Sequence, residues 1–303
     1  MDRRAESLTA PERRFACTQC GACCNRAPEL ELGEAGALAD MFVLRLMLRI
    51  YSLPRSLGDY VSDLPRELAS AEFYERKRLL GQFAAASWPA KVQRGSQVVE
   101  YSQYLSLSVL PLDLGTGSCP ALEGDSCSIY ARRPLSCRSV PLHYSRPAAA
   151  AVRDLDAFTS TPGFRCDTGP HAPLVIASDI VDPAMLAART EAVAQAQADA
   201  RWKAAIVKAM KAGEHGLPTP REVETNAAMG VLTASMLGAW RVAEATRLIK
   251  PAEAERLLAA QCLLIERETQ RDGLSANALA TMREMHREYS AALAEQPTAV
   301  RGD

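Results

Sequence analysis

The sequence predicts a mainly α fold in two parts: an irregular, cysteine-rich module over 13–175 with a short β element, and a helical, bundle-like region over 180–296. Three observations predict it. Eight of the nine cysteines lie before residue 167. From Pro183 onward the chain is rich in Ala, Glu, Arg and Leu, with turn residues clustered only at intervals. A single stretch, Gln97 to Leu110, alternates and is rich in β-branched and aromatic types, which suits one or two strands.

Composition sets the limits. With 303 residues, 48% of them hydrophobic, the chain can bury a sizeable core and has the length of about two domains. A formal net charge of −1 gives no electrostatic case for nucleic acid or an anionic membrane as partner. The longest apolar run, around Met41-Phe42-Val43-Leu44, is broken by Arg45 and Arg49 well short of the ~20 residues of a membrane span. Residues 1–14 include Arg3, Arg4, Glu6, Glu12, Arg13 and Arg14 and have no apolar core segment. A secretory signal is therefore not expected, and the location expected is cytoplasmic.

In chain order, the first dozen residues are polar and offer nothing to pack, so Phe15 is the first anchor. Asn25-Arg26-Ala27-Pro28 reads as a loop. Leu38, Met41, Phe42, Arg45, Leu46 and Arg49 follow helical spacing, which predicts a helix over 33–50. Pro54, Gly58 and Pro65 interrupt the next stretch, so 51–68 is expected to be irregular. A second helix is predicted over 69–86, burying Phe73, Leu79, Leu80 and Phe83 and stopped by Pro89. Beyond the module, helices are predicted over 183–212, 219–247, 251–270 and 274–294. The breaks fall at 213–220, Pro251 and Asp272-Gly273, and short links between such helices suggest antiparallel packing.

The chemistry lies in the cysteines. Cys17, Cys20, Cys23 and Cys24 place four thiols within eight residues, and thiolates so close repel and oxidise unless a soft cation or an iron–sulfur cluster neutralises them. A disulfide cage fits poorly, because such scaffolds are short secreted chains and this one has an odd number of cysteines. Gly21 suits a tight turn with positive φ inside the loop. A second group follows: Cys119-Pro120-Ala121-Leu122, Cys127-Ser128-Ile129-Tyr130 and Arg132-Arg133-Pro134-Leu135-Ser136-Cys137-Arg138. Cys166 stands alone in Gly163-Phe164-Arg165-Cys166, either a ligand or a buried thiol. The C-x2-C-x2-C spacing matches the bacterial ferredoxin run, although here Cys24 follows Cys23 at once and the cysteine before proline is the distant Cys119.

Phe15 to Cys24, followed by Cys119-Pro120-Ala121-Leu122, Cys127 to Tyr130, Arg133-Pro134 and Cys137-Arg138, closely resembles the CxxCxxCC cysteine-cluster family, the YkgJ type. Its members are described as zinc- or iron-chelating. The resemblance covers about residues 13–170. It implies a metal-centred module and leaves the reaction open. A flagellin lysine methylase carries a distantly similar cysteine-rich signature and is thought to hold an iron–sulfur cluster, so S-adenosylmethionine-dependent methyl transfer to protein lysine enters by analogy. No glycine-rich nucleotide loop in this chain supports that analogy.

The expected ligands are Cys17, Cys20, Cys23, Cys24, Cys119, Cys127, Cys137 and Cys166; the simplest arrangement takes some from Cys17, Cys20, Cys23 and Cys24 and others from Cys119, Cys127 and Cys137, stapling the two segments to one shared centre. Eight thiols exceed the need of one structural zinc, so the spacing favours an iron–sulfur cluster, [4Fe-4S] in type, with a zinc or iron ion as the alternative. Two centres sharing all eight cysteines rank behind that arrangement. Arg138 is expected to face the bound group and offset its charge, while Arg132 faces solvent. Tyr130 reads as a packing residue, His143 and His171 as ordinary histidines ahead of ligands, and Cys262 as a small core residue. Two function classes follow: a redox or cluster-assisted enzyme or accessory protein, or a structural zinc- or iron-chelating protein whose helical region binds a protein partner.

Overall fold

The computed structural model describes residues 12–24, 27–226 and 231–295. Expectations for the first eleven residues and for Asn25 and Arg26 lie outside these. In chain order the elements are β1 (Arg13–Arg14), β2 (Leu44–Pro54), α1 (Arg66–Phe83), β3 (Ala86–Arg94), β4 (Gln97–Pro111), β5 (Leu122–Glu123) and β6 (Ser126–Cys127). Then come α2 (Leu135–Arg138), α3 (Ala151–Thr159), β7 (Leu174–Ile176), α4 (Pro183–Ala212), α5 (Pro220–Asn226), β8 (Val231–Ser235), α6 (Leu237–Ala245), α7 (Pro251–Glu268) and α8 (Ala276–Ala294).

Four strands form the central sheet in the order β3-β4-β2-β8, each pair antiparallel. Alternation along β2 explains its place. Leu44, Leu46 and Leu48 are fully buried, and they face the same side as Leu105, Leu107 and Val109, their register partners' row on β4. Burying each such side chain contributes roughly 1.5–3 kcal/mol. Arg45 and Arg49 occupy alternate positions with the buried Met47 between them, and Arg49 lies opposite Ser106, so the second face of the sheet carries charge along one stretch, while farther along Leu53 and Tyr104 pack with Phe73 of α1.

The helix expected over 33–50 is therefore replaced by a 3-10 segment, Leu32–Leu38, and the first half of β2. Leu-Arg-Leu-Met-Leu-Arg-Ile fits a period of two as well as a period near four, and pairing with β4 and β8 on both sides decides between them. Pro89 does not stop a helix. It lies within β3 opposite Ser102, on the sheet's outer strand, where a missing backbone donor is tolerated. The helix expected over 219–247 breaks into α5, β8 and α6, and β8 takes the free edge of β2.

Of the described residues, 47% are helical and 19% are in strands, and β4 alone runs for 15 residues. Among those residues no group of three or more His, Cys, Asp or Glu side chains is placed to hold a metal ion. The architecture is mixed α and β, and the expected mainly α fold with a metal-centred module is overturned. The sheet, not a metal, organises the N-terminal part.

The main core draws side chains from both sides of residues 175–180. Leu46, Leu48 and Val109 of the sheet pack with Ile206, Met210, Trp240, Leu257, Met282 and Tyr289. Gln261 of α7 ties the two together: its Oε1 accepts from Leu44 N at 2.8 Å, and its Nε2 donates to Ala39 O at 2.6 Å and Phe42 O at 2.8 Å. Helix α4 has the span its composition predicts. Asp182 caps its start by accepting from Met185 N at 2.8 Å, Pro183 takes its first position, and Gly213 at φ 68° ends it. A smaller core gathers Phe15, Leu142, Leu155, Val175, Ile176 and Met185, with Cys166 packed against it.

Candidate thiol site

Several stretches of chain meet around a cavity of about 990 Å³ whose wall includes all eight expected cysteines. The N-terminal loop is held first. Ala16 and Asp167 exchange backbone hydrogen bonds, Ala16 N to Asp167 O at 2.8 Å and Asp167 N to Ala16 O at 3.1 Å. Thr18 Oγ1 donates to Arg165 O at 2.7 Å, and Arg165 Nη2 donates to Cys20 O at 3.4 Å. Cys17 and Cys20 therefore run beside Cys166. Gly21 turns the chain at φ 69°, and a Cβ there would stand 3.3 Å from Leu122 Cδ2, so both conformation and space favour glycine.

Beyond the turn the chain changes neighbours. Cys119 N donates to Cys24 O at 2.8 Å, and Leu122 N donates to Cys119 O at 2.9 Å. Leu122 pairs with Cys127 across the β5-β6 hairpin, which carries Cys127 back toward Cys119. Cys137 sits on α2. That short helix is anchored by Ser136 Oγ donating to Glu29 O at 2.6 Å and by Leu135 N donating to Glu34 Oε1 at 2.8 Å.

None of the nine cysteines is in a disulfide; Cys17 is exposed, seven are half-buried and Cys262 is buried. Their electrostatics differ by position. The Ala22 backbone, with the Arg165 backbone and Thr18, hydrogen bonds the Cys20 sulfur and lowers its thiol to about 7. Cys23 and Cys24 share a hydrogen bond that raises Cys23 and lowers Cys24. Burial raises Cys119 and Cys166, and it pushes Cys137 up to about 12. A positively charged bound group would reverse such burial effects, because it favours the thiolate.

As a donor set these residues suit a thiolate-bound metal group: soft ligands, free, and around one cavity. Arg138 adds a second sign. Its Nη2 donates to Glu191 Oε2 at 2.6 Å, while its Nε is buried without a partner among the described residues in the cavity wall beside Cys137. The thiols nevertheless stand apart, since no three ligating side chains among the described residues converge on one point. The chemistry of the donors fits; their present spacing does not enclose an ion.

No family model, curated protein or solved structure matches the chain. Among the described residues no helix is long and apolar enough to cross a membrane.

The remaining candidates fall into place around the cavity. Arg132 is exposed. Tyr130 is 40% exposed with the Arg133 guanidinium stacked 3.8 Å over its ring, so it packs against a cation, not a core. His143 stacks on Tyr144 at 4.2 Å, and burial holds it down to about 4. His171 is exposed and absent from the cavity wall. Cys262 lies in the main core with Ser290 Oγ at 3.8 Å, away from the other thiols.

Sequence reasoning missed the polar part of the cavity. Glu29 and Arg49 approach at 3.9 Å, and burial raises the Glu29 carboxyl above its ordinary range. Behind them Lys203 Nζ lies 3.1 Å from Glu31 Oε2, and Tyr144 OH donates to Glu31 Oε1 at 2.8 Å. The Arg-Leu-Met-Leu-Arg alternation of β2 was the available signal for Arg49. Glu29, Glu31 and Lys203 carry none, since only the fold brings them together.

Proposed function

We propose that this protein binds a metal group through the cysteines at 17, 20, 23, 24, 119, 127, 137 and 166, with an iron–sulfur cluster as the occupant, and serves a redox or cluster-assisted role. One observation carries the reading: every cysteine before residue 167 reaches the wall of one cavity, with none in a disulfide. Eight free thiols on a packing ground alone would be an oxidation hazard. Closing them around a ligand is the part that binding supplies, since coordination free energy is also ordering free energy. Arg138 stands where it would offset the negative charge of a thiolate-bound cluster. When bound, such a cluster passes single electrons. Glu29, Arg49 and the Ser106 and Ser108 hydroxyls line the same cavity and give a substrate charged and hydrogen-bonding partners.

The resemblance to the CxxCxxCC cysteine-cluster family supports the same reading and extends to a zinc or iron ion in place of the cluster. So many free thiols also suit a reducing compartment, and we place the protein in the cytoplasm on that ground. Elemental analysis with acid-labile sulfide on anaerobically purified protein tests the proposal. Iron and sulfide in near-equal amounts, with a brown colour bleached by dithionite, is the expected result. Zinc without sulfide in colourless protein would overturn the cluster and keep the metal. No metal at all would overturn both.

A further inference from the structure

We propose that the eight thiols make two separate four-cysteine centres side by side, one from Cys17, Cys20, Cys23 and Cys166, the other from Cys24, Cys119, Cys127 and Cys137. This rests on the reading that the thiols bind metal, and it replaces the single shared centre that the sequence suggests.

The backbone divides the cysteines first. The loop carrying Cys17 and Cys20 is bonded to the Arg165-Cys166-Asp167 stretch through Ala16, Thr18 and Arg165. Immediately after Gly21 the chain leaves that neighbour, and Cys24 is bonded to Cys119 at 2.8 Å. The hairpin pairing of Leu122 with Cys127 then keeps Cys127 with Cys119. Packing divides them the same way. Cys166 rests on the small core around Phe15 and Leu155, whereas Cys119 and Cys127 rest on the main core. Thiol neighbours agree: the sulfurs that bear electrostatically on Cys166 are Cys23, Cys20 and Cys17, and those that bear on Cys24 from a distance are Cys137, Cys119 and Cys127.

Four thiolates complete the shell of a tetrahedral ion or a cubane cluster, so eight in two sets of four leave none over. The boundary runs through a single peptide bond. Cys23 and Cys24 are adjacent and in contact, yet the other thiol bearing on Cys23 is Cys20, whereas those bearing on Cys24 are Cys137, Cys119 and Cys127. In bacterial ferredoxins a Cys-x2-Cys-x2-Cys run likewise gives its next cysteine to a second cluster. Here the next cysteine is Cys24, three positions earlier than in that run. The cationic residues are divided too: Arg165 lies with the first set, and Arg133 and Arg138 with the second.

The test uses the full chain, purified anaerobically, with metal and acid-labile sulfide counted per chain for the native protein and for Cys166→Ala, Cys137→Ala and the double variant. The native protein is expected to hold two centres, about eight irons if both are [4Fe-4S]. Each single variant is expected to keep half, and the double variant close to none. Circular dichroism melts report whether each variant folds, and Cys127→Ala replaces Cys137→Ala if the latter does not. Native protein with the metal of one centre overturns the two-centre assignment and leaves the metal-binding reading intact. A single substitution that empties the protein, or that costs it nothing, also overturns the assignment. Native protein without metal overturns the underlying reading itself.

Discussion

Replacing Lys203 by Met tests how the helical half holds the cysteine-bearing half in place. Lys203 Nζ is 3.1 Å from Glu31 Oε2, and the two side chains are only 4% and 8% exposed. Lys203→Met keeps the length of the side chain and removes its charge, leaving the Glu31 carboxylate buried with Tyr144 OH as its remaining side-chain donor. Breaking a buried pair from one side costs about 3–5 kcal/mol, a large part of the ~5–15 kcal/mol by which domains are stable. The damage extends toward the thiols, because Glu31 and Glu34 form a reciprocal cap and Glu34 Oε1 holds Leu135 N at the start of α2. Urea unfolding followed by tryptophan fluorescence measures the loss. The double variant Lys203→Met/Glu31→Gln removes the stranded charge and is expected to regain more than half of it. A single-variant loss under about 1 kcal/mol, the scale of an exposed ion pair, refutes the reasoning; so does a double variant no more stable than the single one.

Three other outcomes follow from the structure. Gln261→Leu leaves Leu44 N, Ala39 O and Phe42 O without their side-chain partner and is expected to cost about 2–4 kcal/mol in urea unfolding, whereas an unchanged midpoint would show the clamp to be idle. Glu29→Gln addresses pH. Burial raises the folded-state pKa of Glu29, so its proton is held more tightly in the folded state; the resulting stability is present below the ordinary carboxylate value of about 4.3 and is lost as pH rises through the raised value. The variant is therefore expected to gain on the native protein between pH 4 and pH 8, and a constant difference across that range counts against it. Cys262→Ser is expected to leave metal content unchanged while lowering the melting temperature slightly, since Cys262 lies in the main core; loss of metal in this variant would mean the ligand set is misassigned.

What could be read from the residues alone depended on whether a local pattern had one meaning. Asp182-Pro183 and Gly213 bracket a long helix-favouring run, and α4 begins and ends where they say. The alternation from Gln97 to Leu110 likewise becomes β4. Leu44 to Ile50 satisfies two periods at once, and the partner strands that settle the matter lie far along the chain, at 101–111 and 231–235. Pro89 meant a stop in a helix and an edge in a sheet, and only the strand order distinguishes them. At the site, spacing singled out the cysteines. Which thiol neighbours which is set by contacts such as Cys24 with Cys119 and Ala16 with Asp167, which no local pattern encodes.

The sheet's outer rim bears on how copies of the protein meet. An unpaired strand border is a template on which another chain can add, and β3 presents one that is nine residues long. Pro89 interrupts its row of donors, and Lys91 and Arg94 are exposed on the same strand, so a second copy approaching side by side meets a gap and like charge. Growth of the sheet into ribbons or fibres is thus discouraged at this border by the chemistry of the strand itself.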